Sequence, residues 1–119
     1  MGQDIDVPYH PKTLYLRMNL ITEELNELQE EVDKAIYEFK EHSGQINKET
    51  KQKILKELCD LMYVVSGFAV TFGLPVQPAF NRVHQSNMSK LVNGIPQLNE
   101  WGKVEKGANY KPPNMEDLV

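Results

Sequence analysis

The stretch KTLYLRMNLITEELNELQEEVDKAIYEFKE, Lys12–Glu41, decides the fold. Leu14, Met18, Ile21, Leu25, Leu28, Val32, Ile36 and Phe39 recur at steps of three and four, which is the period of an amphipathic helix with one apolar stripe. A first helix over about 12–41 is expected. It stops at His42-Ser43-Gly44, where serine and glycine favour a turn, and Asn47 or Thr50 can cap the segment that follows.

A second helix is expected over 48–72. Its C-terminal part, LCDLMYVVSGFAVTF, is apolar on nearly every face, with Asp60 as its one charge. Gly73-Leu74-Pro75 must turn, and Pro75 or Pro78 can sit in the first turn of a third, shorter helix running to Leu91. After Leu91 no period survives, so residues 92–119 read as an irregular arm with one hairpin-like turn. The expected fold is all-α: a bundle of two long antiparallel helices and a shorter third within a single domain, 1–119, whose helical core is 12–91. Three helices cannot hide so apolar a second helix, so homo-oligomerisation, as a homodimer or a dimer of dimers, is expected to complete the bundle.

The formal charge of −4 argues against a general nucleic-acid binder. Its distribution is uneven, because most acids precede residue 74, whereas 74–111 carries Arg82, Lys90, Lys103, Lys106 and Lys111 against Glu100 and Glu105. The single cysteine, Cys59, cannot form an internal disulfide, and the N-terminal MGQDIDVPYHP lacks the basic start and apolar core of a secretory signal. The run from Leu58 is too short and too polar for a membrane span. A soluble, cytoplasmic chain is expected.

Glu24 and Glu27 lie one turn apart beside the apolar stripe, and Glu57 and Asp60 repeat that spacing on the second helix. Antiparallel packing can bring the four together, an arrangement that repels itself unless protons are shared or a cation is present. An all-oxygen set suits Mg²⁺ or Mn²⁺ rather than zinc. The spacing alone leaves a metal site and a solvated acidic face both open. A carboxylate di-iron bundle would need Glu-x-x-His pairs, and none of His10, His42 and His84 has a glutamate three positions earlier.

TEELNELQEEV followed by KELCDLMYVVSG resembles the paired Glu-x-x-Glu and Glu-x-x-Asp motifs of the all-α nucleoside triphosphate pyrophosphohydrolases, the MazG-like, dimeric dUTPase-like and phosphoribosyl-ATP pyrophosphohydrolase-like proteins. FGLPVQPAFNRVHQSNMSKL resembles the third-helix segment of that group, and GKVEKGANYKPPN the lysine-rich arm of one branch. The resemblance implies Mg²⁺, with Mn²⁺ as a substitute, on Glu24, Glu27, Glu57 and Asp60, with Glu23 and Glu31 as outer or second-metal groups. It implies Asn87, Lys90, Lys106 and Tyr110 as substrate-binding residues, and Glu24, with Glu23 or Glu27 as substitutes, as the group that activates water. The implied reaction converts a nucleoside triphosphate to the monophosphate and pyrophosphate, in the service of nucleotide-pool house-cleaning. The arm is expected to be mobile and to close over the triphosphate. Relatives of that branch usually carry a further short helix near the base, before the segment that here begins MGQDIDVPYHP; the chain is expected to lack it and to differ in base selection while keeping the metal centre. A non-catalytic, nucleotide-sensing helical dimer is the alternative reading.

Overall fold

A computed structural model describes residues 9–119; the expectations drawn from the N-terminal MGQDIDVP lie outside the described residues. Three helices form in the order expected, α1 (Pro11–Glu41), α2 (Lys48–Thr71) and α3 (Val76–Met88), followed by the short strands β1 (Gln97–Leu98) and β2 (Val104–Glu105). The chain divides into two units, one ending at Gly73 and the other beginning at Leu74. Among the described residues no single helix is long and apolar enough to cross a membrane.

The first unit is an antiparallel helical hairpin. α1 starts at His10, whose Nδ1 accepts the Lys12 backbone N–H at 3.1 Å, with Pro11 at the first helical position, where its missing N–H costs nothing. α1 ends in a left-handed turn, with Ser43 at φ 55° and Gly44 at φ 83°, and the Gly44 N–H returns to the Phe39 carbonyl at 2.9 Å. At the open end, Tyr9 stacks on Phe72 with ring centroids 4.9 Å apart and donates its hydroxyl to the Phe72 carbonyl at 2.8 Å. That carbonyl would otherwise lack a partner at the C-terminus of α2. Phe68 packs on the same ring at 4.7 Å.

Two expectations need correcting here. Asn47 occupies the N-cap position of α2 without a side-chain cap bond. Its backbone and side-chain N–H groups, together with the Thr50 hydroxyl, are turned instead onto the carboxylate of Glu38, at 3.0, 3.2 and 2.7 Å. Glu38 is only 4% exposed, and a carboxylate taken so far from water requires donors of this kind. The stripe is also divided. Leu14, Ile21, Leu28 and Val32 are half-buried against α2, whereas Met18, Leu25, Ile36 and Phe39 remain exposed, as do Leu55, Leu58, Met62 and Val65 of α2. What the hairpin buries is more polar than the hydrophobic stripe suggests, because Arg17, Glu24, Glu31 and Glu38, seven residues apart, share its inner face.

In the second unit, α3 stops at Met88 rather than Leu91. The turn that follows leads through a Val92–Ile95 bridge into the antiparallel pair Gln97↔Glu105 and Leu98↔Val104. Asn99 organises the loop between the strands, its Oδ1 accepting the Trp101 and Lys103 N–H groups at 2.9 Å each. The rest of the arm is pinned to α3. Buried Ser86 donates to the Lys111 carbonyl at 2.7 Å, and the Lys111 N–H donates to Ser89 Oγ at 2.9 Å. Arg82 grips both oxygens of Asp117, with Nη2–Oδ2 at 2.9 Å, and also donates to the Asn114 carbonyl at 3.0 Å. The irregular arm with its one hairpin-like turn is thus as the sequence suggests, and its end, from Lys111 to Asp117, is tied to α3, whose side chains supply the partners that the arm's own glycines and prolines do not.

Candidate functional site

The antiparallel register sets Glu24 and Glu27 of α1 beside Glu57 and Asp60 of α2, and one carboxylate oxygen from each falls within 4.8 Å of all the others. On each helix the three-residue step puts both acids on one side, and the hairpin brings the two sides together. Four like charges so close require compensation, and the structure shows how little of it the protein supplies. Glu24 Oε2 and Glu57 Oε2 are shut off from water with no hydrogen-bond donor, and Glu31 Oε1, two turns along from Glu24, is in the same condition. Orphaned buried oxygens beside an all-carboxylate donor set fit a hard divalent cation.

One cation among the described residues touches the cluster. Lys56 Nζ lies 2.6 Å from Asp60 Oδ2 and 3.3 Å from Glu57 Oε1. The hydrogen bond to Asp60, then that to Glu57, pushes its ammonium above its usual range. Asp60 is therefore less isolated than its apolar surroundings in the sequence suggest: its side chain is 37% exposed and already paired, while Glu57 is 14% exposed. The signal for this pair was the Lys-x-x-x-Asp spacing. Glu23 and Glu31 are not members of the four-residue cluster.

In the second unit the structure brings together three of the four expected substrate-binding residues. Lys90 Nζ stands 5.9 Å and Lys106 Nζ 4.9 Å from the centre of the Tyr110 ring, so one electron-rich ring attracts two ammoniums. Gly107 makes this approach possible. A Cβ there would lie 2.8 Å from Val92 Cγ2 and 2.9 Å from the Lys90 carbonyl oxygen, so only a residue without a side chain lets the arm run this close to Lys90. Asn87 is exposed at the end of α3, and its carbonyl accepts the Lys90 N–H at 3.1 Å. Two interactions escaped the sequence reading. The Arg82–Asp117 pair joins residues too far apart for any local spacing to reveal, whereas Glu38 had a signal in the seven-residue series from Glu24.

The family model described as phosphoribosyl-ATP pyrophosphohydrolase matches residues 3–87, which takes in all four clustered carboxylates and Asn87 and ends before Lys90, Lys106 and Tyr110. No curated protein matches the chain. On a match that covers well over half of its length, and with the acidic cluster assembled, the chain belongs to the phosphoribosyl-ATP pyrophosphohydrolase family of the MazG-like superfamily and is in kind a pyrophosphohydrolase acting on a nucleotide.

Proposed function

We propose that the chain hydrolyses a nucleoside triphosphate between its α and β phosphates, giving the monophosphate and pyrophosphate, with Mg²⁺ or Mn²⁺ held by Glu24, Glu27, Glu57 and Asp60. The observation that carries this reading is the pair of donorless, water-inaccessible oxygens, Glu24 Oε2 and Glu57 Oε2, inside a four-carboxylate cluster. A divalent cation bound there supplies charge for the phosphate oxygens and lowers the pKa of a coordinated water.

Glu24 is the residue proposed to orient the attacking water and take its proton, since its free oxygen has no competing donor. Glu27 or Glu23, both exposed, are its substitutes. In-line attack at the α phosphorus expels pyrophosphate, a step that needs chiefly positioning and charge stabilisation. Lys90 and Lys106, paired across Tyr110, together with the Asn87 amide, form the proposed phosphate-holding group. The exposed apolar residues Met18, Leu25, Ile36 and Phe39 of α1 and Leu55, Leu58, Met62 and Val65 of α2 support a homodimer, or a dimer of dimers.

The test is a panel of ribo- and deoxyribonucleoside triphosphates, with phosphoribosyl-ATP included, incubated with Mg²⁺ and assayed for both monophosphate and pyrophosphate. Turnover of at least one triphosphate, lost on chelation, is expected. Release of inorganic phosphate instead of pyrophosphate, or no turnover of any triphosphate in the panel, would refute the reading.

A further inference from the structure

Lys56 meets the acidic cluster from the solvent side. Its side chain is 66% exposed, and its ammonium bonds the outward oxygens, Asp60 Oδ2 and Glu57 Oε1. The inward oxygens, Glu57 Oε2 and Glu24 Oε2, receive nothing from it. A single ammonium offers one charge and three short-range donors at the end of a stem anchored on α2, so it reaches one flank of the cluster only. Four carboxylates with one lysine still leave a net charge of about −3, which a divalent cation placed between them relieves further. Lysine and metal then compete, because both need oxygens of Asp60 and Glu57 and two cations sharing those oxygens repel one another.

We propose that Lys56 is a tethered counter-ion. It holds Asp60 and Glu57 in place before the metal arrives, and the incoming divalent cation displaces it into solvent. Its high exposure and flexible stem let it leave without disturbing the helix pair. Lys56 therefore acts on the centre in two opposite directions, stabilising the metal-free hairpin and weakening the metal's hold. This makes it a positioning residue rather than a catalytic one, and the inference rests on the four-carboxylate metal reading above.

The experiment is calorimetric titration of the full chain with Mn²⁺ and with Mg²⁺, alongside thermal unfolding in chelator, for wild type, Lys56→Met, Lys56→Arg and Asp60→Asn. Lys56→Met is expected to bind metal about fivefold tighter, the upper end of what an exposed ion pair contributes, and to melt lower than wild type without metal. Lys56→Arg, which keeps the charge, should stay near wild type in both measurements. Lys56→Gln repeats the affinity measurement should Lys56→Met not fold without metal. Unchanged or weaker metal binding in the neutral variants overturns the proposal while leaving the metal centre standing. Failure of wild type and Asp60→Asn alike to take up any metal would remove the metal reading itself.

Discussion

Thr50 Oγ1 donates a 2.7 Å hydrogen bond to Glu38 Oε2, and both residues are buried where α1 turns over into α2. This bond, above all, holds the Glu38 carboxyl below its ordinary 4.5, with the Asn47 backbone N–H adding to it against the opposing effect of burial. A depressed native pKa means that the unfolded chain binds the proton more tightly than the folded one. The stabilisation from Glu38 is therefore complete above about pH 4.5 and is lost as the pH falls through the lower native value. Thr50→Val should lower the melting temperature at pH 7 by several degrees and flatten the acid limb of the stability curve below pH 4.5, as read by calorimetric melts. An acid limb as steep as that of wild type would contradict this.

Glu57→Gln and Asp60→Asn should each reduce metal-dependent pyrophosphate release by about 100-fold or more while leaving helix content intact. Their stabilities without metal should differ. Glu57→Gln removes a repelling charge from the less exposed position and should raise the melting temperature in chelator, whereas Asp60→Asn also takes away the closest partner of Lys56 and should gain little. Near-normal turnover of either variant at saturating Mg²⁺ would show that the four carboxylates do not form the metal site.

Gly107→Ala should force the arm away from the Lys90 carbonyl, because the added carbon would lie 2.9 Å from that oxygen. We expect KM for the triphosphate to rise about tenfold, on the order of the 1–3 kcal/mol that overpacking costs, with metal affinity measured by calorimetry unchanged. Unaltered KM would separate the Lys90–Tyr110–Lys106 group from substrate binding.

Arg82→Ala should release the C-terminal segment from α3, seen as faster hydrogen exchange at the Lys111 amide and beyond. The guanidinium holds the Asp117 carboxyl down at about 2, against an ordinary 3.8. The clasp therefore contributes fully above about pH 3.8 and opens only as the pH falls through about 2, so exchange in the wild-type segment should show no acid-induced loosening between pH 7 and pH 4.

Sedimentation at micromolar concentration should show wild type at twice the 13.7 kDa chain mass. Ile36→Glu, on the exposed apolar face, should shift it towards monomer. On α2, Val65 is exposed and Leu61 and Phe68 are half-buried, so parts of all three are expected to enter the same interface.

Helix identity and order, and the turns between the helices, were legible in the sequence because the signals are local: a 3.6-residue period, His42-Ser43-Gly44, and proline after Gly73; the end of α3, at Met88 rather than Leu91, carried no such signal. The carboxylate cluster was legible because two three-residue spacings on antiparallel helices leave few ways to pack. Which flank of the stripe turns inward was not, since Met18 and Leu14 read alike by hydropathy, and only the inward glutamates, which need donors or a cation, decide between them. The attachment of the arm was equally invisible. It depends on Ser86, Ser89 and Arg82 meeting Lys111 and Asp117, polar residues that would serve as well on any solvated helix.

The Glu38 network also bears on how the carboxylate cluster comes together. Thr50 and Glu38 are only 12 residues apart, so closing the loop between them costs little chain entropy. Contacts farther along α1 and α2, out to Tyr9 with Phe72, enclose progressively longer stretches of one continuous hairpin. Carboxylates contributed by two separate helices are thus joined through a short loop whose register the Glu38 network fixes with the protein's own groups.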